Sequence, residues 1–216
     1  APMKNHPAFL HRTTQIFWAD SPEGPFLPFE SKLPHTPMGQ MCLDGTLWVE
    51  NGTPYMIYCH EWVEMMDGTM ELVELKPDLS GTVGQPIRLF CASAAEWSTG
   101  SLREDGTRTY VTDGCFLYRT QTGKLLMIWS SFKNGEYAIG IAESMTGKVF
   151  GPWKQQKEPL FDKHGGHGMI FKTFDGRLCV VLHAPNSPGG AERAHIFEIE
   201  DLGHTLKLKD IILSNP

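Results

Sequence analysis

Apolar residues along this chain fall in short runs separated by polar, glycine-rich turns, and three of the runs repeat one phrase. Asp44-Gly45-Thr46-Leu47-Trp48-Val49, Asp113-Gly114-Cys115-Phe116-Leu117-Tyr118 and His167-Gly168-Met169-Ile170-Phe171-Lys172 each open with a polar residue and a glycine and continue as an apolar strand. A turn follows at Asn51-Gly52, Thr122-Gly123 or Asp175-Gly176, and a second apolar strand returns. Seven residues beyond the three turn glycines lie Cys59, Ser130 and His183, so the pattern predicts one hairpin used three times, with polar groups at matching places. The irregular spacing of the openings fits a repeated unit with loop insertions.

The segments between the hairpins also read as strands. Thr69 to Leu75 alternates apolar and acidic residues, as a strand with one wet face does, and Pro86 to Phe90 supplies another. Gln15 to Ala19 followed by the turn Ser21 to Phe26 resembles Ile139 to Ser144 followed by Gly151-Pro152-Trp153. No window sustains a helical period. Four short antiparallel strands per repeat make the blade of a β-propeller. The chain therefore reads as one all-β domain over 1–216, with residues 1–40 as the outer half of an upstream blade and blades at 41–110, 111–163 and 164–216.

Composition narrows the partners. The 216 residues suffice for one domain, and 22 glycines and 15 prolines punctuate turns rather than signal disorder. A formal charge of -6 with no basic stripe predicts no nucleic-acid partner, and no apolar run is long enough to predict a membrane span. Five cysteines with no CxxC spacing predict buried thiols rather than a zinc site, although Cys42 and Cys59 would come close across the first hairpin. The opening Ala1-Pro2-Met3 predicts no signal peptide in this stretch and, lacking an initiator methionine, an upstream segment that was removed.

The innermost strand of each blade starts at the propeller axis, so Asp44, Asp113 and His167 are expected to face one another across a central pocket. The returning strands would bring His60, Glu61, Trp62, Ser130, Ser131, Phe132 and His183 to its rim. Carboxyls, histidines and aromatics in one cleft suit carbohydrate. An aromatic covers the apolar face of a sugar ring, and cleavage of a glycosidic bond takes one carboxyl to protonate the leaving oxygen and a second to activate water.

These phrases resemble glycoside hydrolase family 43, from Ser21-Phe26 to Arg193. The resemblance implies a five-bladed propeller, of which this chain would carry about three and a half blades. It also implies inverting hydrolysis of arabinosyl or xylosyl linkages in plant polysaccharides. Leu43-Asp44-Gly45-Thr46-Leu47-Trp48 matches the motif whose aspartate orients the acid and adjusts its pKa, which assigns that role to Asp44. Thr112-Asp113-Gly114-Cys115 stands where the family carries a glutamate as general acid, which assigns the acid to Asp113. Gly165-Gly166-His167 matches the motif whose histidine helps hold a calcium or sodium ion at the axis, through bound waters in this reading because calcium prefers oxygen. Arg193 is the expected late arginine on substrate, beside Glu61, Trp62, Phe132 and His183 as further substrate-binding groups. Polymeric substrates would point to secretion or the periplasm.

Two departures from the family pattern stand out. The family's general base is an aspartate of the first blade, and no residue here takes that role by motif, Asp20 belonging to an outer strand and turn. Aspartate for glutamate at Asp113 shortens the reach by roughly 1.5 Å, which leaves Glu61 as an alternative acid. The chain alone is thus expected to hydrolyse little, and a non-catalytic carbohydrate-binding propeller is the alternative, with a blade set lacking independent function as the blandest. A propeller short of its full ring would expose a strand edge and an apolar face, which predicts self-association or docking of a missing blade.

Overall fold

The computed structural model describes residues 12–214; the expectations drawn from Ala1-Pro2-Met3 fall outside them. A two-stranded sheet, β1 (Phe17–Trp18) with β2 (Leu27–Pro28), precedes a four-stranded meander of β3 (Cys42–Glu50), β4 (Thr53–His60), β5 (Thr69–Leu75) and β6 (Thr82–Cys91). A small ribbon of β7 (Ser101–Leu102) and β8 (Arg108–Thr109) links it to a second meander. That sheet holds β9 (Asp113–Arg119), β10 (Leu125–Lys133), β11 (Glu136–Ser144) and β12 (Trp153–Gln155). The third sheet is β13 (Gly166–Lys172), β14 (Leu178–Ala184), β15 (Arg193–Asp201) and β16 (Leu206–Ser214). One helical turn, α1 (Trp62–Met65), follows β4. The first strands of the three sheets, β3, β9 and β13, lie side by side, which makes each sheet a blade with its first strand innermost.

The blades pack face to face because each strand alternates two apolar sets. Ile57, Met70, Phe90 and Trp97 of the first blade and its exit loop meet Leu125, Met127 and Trp129 of the second. Leu126, Ile128, Ile139 and Ile141 point the other way, onto Ile170, Val180 and Leu182 of the third. Trp97 lies 4.9 Å from Trp129, ring to ring, and a Cβ on Gly140 would come within 2.2 Å of the Trp97 indole, so glycine at that β11 position creates the seat for the tryptophan. The free face of the first blade, with Met56, Tyr58, Val73 and Leu75, is covered by Ile16 and Leu79. His35 fastens that cover: its Nδ1 accepts from the Ile16 amide at 3.0 Å and its Nε2 donates to the Leu79 carbonyl at 2.7 Å.

Each hairpin turn follows its residues. Asn51 and Gly52 both take positive φ, 52° and 83°, giving the mirror-image turn that suits a twisted hairpin. Thr122-Gly123 and Asp175-Gly176 end longer turns, closed by amide bonds of Gly123 to Thr120 and Gly176 to Thr173, both 2.9 Å. All five cysteines are free thiols, so Cys42 and Cys59 do not pair. Among the described residues no helix is long and apolar enough to cross a membrane.

Candidate active site

The opening of every inner strand carries a β-bulge, and the bulges set the register of the site. Cys59, Ser130 and His183 pair with Leu43, Asp113 and Gly166, and beyond each pair two residues of the inner strand oppose one of its neighbour. The equivalent bulge residues are therefore Asp44, Gly114 and His167, and all three are left-handed, with φ of 57°, 53° and 53°. Asp113, aligned with Asp44 and His167 by the sequence phrase, stands one residue earlier, level with Leu43 and Gly166. The reason lies in packing: a Cβ on Gly114 would approach the His167 ring to 2.8 Å, so the second blade leaves its bulge position bare and His167 fills the space.

Hydrogen bonds tie one bulge to the next. The Gly114 amide donates to Asp44 Oδ2 at 3.2 Å, and the Thr46 hydroxyl donates to the Cys115 carbonyl at 2.6 Å. The His167 amide donates to Ser130 Oγ at 2.8 Å. These links gather the three openings around a cleft of about 470 Å³, lined by Asp44, Thr46, Gly114, His167, His183 and Arg193 among others. Asp113 sits behind Gly114 rather than in the lining, and its Oδ2 accepts from the Tyr137 hydroxyl at 2.9 Å.

Burial acts on both carboxyls. Burial pushes the Asp113 carboxyl up from the ordinary 3.8 to about 7, and the Asp44 anion adds to the rise, while the Tyr137 hydrogen bond opposes it. Burial also raises Asp44, but His167, the Gly114 amide and Arg12 all favour its charged form. Burial thus raises both carboxyls, and the charge of Asp44 helps push Asp113 to about 7, where a carboxyl can give up a proton near neutrality, as acid catalysis at a glycosidic oxygen needs.

The expected groups separate into two sets. Asp44, His167, His183 and Arg193 line the cleft, His183 donating from Nε2 to Asn186 Oδ1 at 2.9 Å and Arg193 Nη1 donating to the Glu192 carbonyl at 2.9 Å. Glu61, Trp62 and Phe132, expected at the rim, are not in the lining. Glu61 is buried, with Oε1 on Arg12 Nη1 at 2.8 Å, because the chain turns into α1 directly after it. Trp62 opens α1. Phe132 instead backs Tyr137, ring to ring at 5.2 Å. Asp20 is exposed between β1 and β2. Sequence reasoning passed over Tyr137, Ser130's bond to His167 and Glu192; only Glu192 had a local signal, its place beside Arg193.

A metal finds few ligands here. His167 Nδ1 lies 3.8 Å from Asp44 Oδ2, and among the described residues no group of three or more His, Cys, Asp or Glu gathers to hold an ion. Two protein ligands fall well short of the roughly six to eight oxygens that calcium takes, so these residues form no protein cage for calcium.

Blades whose inner strands converge on a polar cleft, with Asp44 in its wall and a carboxyl raised to about 7 behind it, have the arrangement of a β-propeller of the glycoside hydrolase class. The comparisons agree with that class: the family model for glycosyl hydrolases family 43 matches residues 5–201, and the chain belongs to that family. An endo-arabinase from Bacteroides thetaiotaomicron is 45% identical with a TM-score of 0.82, over 89% of this chain and 68% of that one. A thermostable family-43 glycoside hydrolase matches at 24% identity and TM-score 0.76, over 94% of this chain and 68% of its own. An endo-1,4-β-xylanase from Bacteroides thetaiotaomicron matches at 21% and 0.72, over 90% and 66%. No curated protein sequence matches. The fold is the family's five-bladed β-propeller, and the chain spans about two-thirds of the length of these relatives, with three four-stranded blades and the β1–β2 sheet among the described residues.

Proposed function

We propose that this chain forms part of an inverting glycoside hydrolase acting on arabinosyl linkages of plant polysaccharide, with xylosyl linkages as the second substrate. The observation that carries the reading is the Asp113 carboxyl, held by Tyr137 and raised to about 7 next to Asp44 at the head of the cleft. Asp113 acts as general acid, Asp44 raises its pKa by like charge, and His167, His183 and Arg193 contact the sugar. Arabinose is preferred because the 45% identical relative is an endo-arabinase, whereas the xylanase is 21% identical. Titration of arabino- and xylo-oligosaccharides by calorimetry tests it: the arabino series should bind more tightly, and Arg193→Ala should weaken it about tenfold, the value of one charge-assisted hydrogen bond. Equal, unsaturable heats for both series would remove the proposal.

The alternative, a carbohydrate-binding propeller without catalysis, has its own support. Asp113 lies behind Gly114 instead of lining the cleft. In that reading the carboxyls only accept hydrogen bonds from hydroxyls, and binding persists with no turnover in any form of the chain.

The same reading assigns calcium or sodium, held chiefly through water, to the axis beside His167. Ligand binding to the folded form raises stability, so chelator should lower Tm; an unchanged melt with no metal in the purified protein retires the ion. Self-association is also part of the proposal. Ile211 of the third blade and Phe17, Trp18 and Phe26 at the other end of the chain are 45–59% exposed, apolar surface that a second copy or a further blade would cover. Sedimentation at micromolar concentration should show dimers or larger species, and a clean monomer would overturn this.

A further inference from the structure

The Tyr137 hydroxyl donates to the Asp113 carboxyl at 2.9 Å, and Tyr137 is held firmly for a residue of a blade's third strand. Its ring is 2% exposed. His183 stacks on one side at 5.6 Å with 18° between planes, and Phe132 leans on it at 5.2 Å. A Cβ on Gly166 would come within 2.5 Å of the ring, so β13 is pressed against it there. The backbone is fixed as well, the Tyr137 carbonyl accepting from the Gly165 amide at 3.0 Å. Burial keeps the phenol protonated, with the Ser130 hydroxyl as a further partner, and Ser130 Oγ in turn accepts the His167 amide.

We propose that Tyr137 is a positioning residue for Asp113, its clamped hydroxyl engaging Oδ2 so that the carboxyl has one orientation and Oδ1 is the oxygen that gives up the proton. The proposal rests on the reading of Asp113 as proton donor. It also accounts for the shorter side chain: an aspartate has fewer rotamers than a glutamate, and a rigid phenol removes the remaining freedom that would cost orientation in the reaction. The proton moves from Asp113 Oδ1 to the glycosidic oxygen as that oxygen's bond to the anomeric carbon breaks and a water, giving its own proton to a general base, bonds to the carbon from the opposite face, while Tyr137 keeps its own proton and stabilises the carboxylate left behind. His183, stacked on Tyr137 and lining the cleft, then links sugar binding to the placement of the acid.

The charged and titratable groups around Asp113 are Asp44 on β3, Glu61 after β4, Arg12 ahead of β1 and Tyr137 on β11, with His167 and His183 across the bulge. Of these, Tyr137→Phe alters one hydroxyl and keeps the ring. A donor to the charged form holds a carboxyl's pKa down, so its removal should raise the Asp113 midpoint by about one pH unit, read from the side-chain carboxyl carbon by NMR on the chain as it is. The unaltered protein offers a second reading. The Tyr137 ring carbon bearing the hydroxyl should show an inflection at the Asp113 midpoint. An unmoved midpoint in Tyr137→Phe, or no such inflection in the parent, overturns the proposal. Failure of the catalytic reading would look different: in a chimera completed with the remaining third of the endo-arabinase fold, Asp113→Asn would cleave natural linkages at the rate of the unsubstituted chimera, while in the parent chain the Tyr137 and Asp113 resonances still titrate together.

Discussion

Asp113→Asn is expected to stabilise the folded chain at pH 8 by about 2 kcal/mol and to leave its stability nearly unchanged at pH 3. The sign follows from proton binding. The folded carboxyl titrates near 7, the unfolded one near the ordinary 3.8, so between these values the folded state holds a proton that the unfolded state has released. Its contribution to stability is fully present below the unfolded value and is lost as pH rises through the folded one. About three units at roughly 1.4 kcal/mol each set a ceiling near 4 kcal/mol, and a carboxyl that is only half-buried realises part of that, hence the smaller figure. Asparagine keeps the shape, carries no charge at any pH and can still accept the Tyr137 hydrogen bond. Paired melts of parent and variant cancel every other titrating group; for a chain of this size the gap at pH 8 should be about 4–8 °C. A gap of the same size at both pH values, or a variant less stable at pH 8, would show that Asp113 ionises in the ordinary range and would remove the electrostatic case for it as an acid.

The same carboxyl marks where the sequence was legible and where it was not. Strand alternation and turn residues suffice to find the three inner hairpins, because a strand with a buried face must alternate and a tight turn must carry residues that accept positive φ. Cys59, Ser130 and His183 do fall at equivalent places, each paired with the residue ahead of its bulge. The bulge itself was not legible. It adds one residue without changing the apolar pattern, so Asp113-Gly114 looks like Asp44-Gly45 although Gly114, not Asp113, is the counterpart of Asp44. Rim residues failed for a related reason: Glu61 and Trp62 follow the end of β4, where a single helical turn redirects the chain, and no periodicity foretells so short an element. Tyr137 was out of reach because its role depends on contacts with β9, β13 and β14 at once.

Hydrolysis is where the largest effect is expected. Inversion needs a base as well as an acid, the two carboxyls lying about 6.5–9.5 Å apart with water between, and no residue of this chain takes the base by motif. Residues 1–216 should therefore cleave aryl arabinofuranosides and xylosides weakly or not at all. A chimera that adds the remaining third of the endo-arabinase fold should cleave arabinan. In it, Asp113→Asn should lower the rate on natural linkages by about 10²–10⁴-fold, the usual worth of general acid catalysis, and much less on nitrophenyl glycosides, whose leaving oxygen departs without a proton. Asp44→Asn should act through Asp113. Without the neighbouring anion the acid ionises at lower pH, so the rate at pH 7 falls and is recovered on acidification, with the limb of the pH profile that reports the acid moved down. Loss of arabinan cleavage in Asp44→Asn at every pH would make Asp44 a direct participant. Turnover that survives both substitutions would take the acid away from Asp113 and give it to Glu61, whose Oε2 is buried without a partner and whose pKa burial also raises.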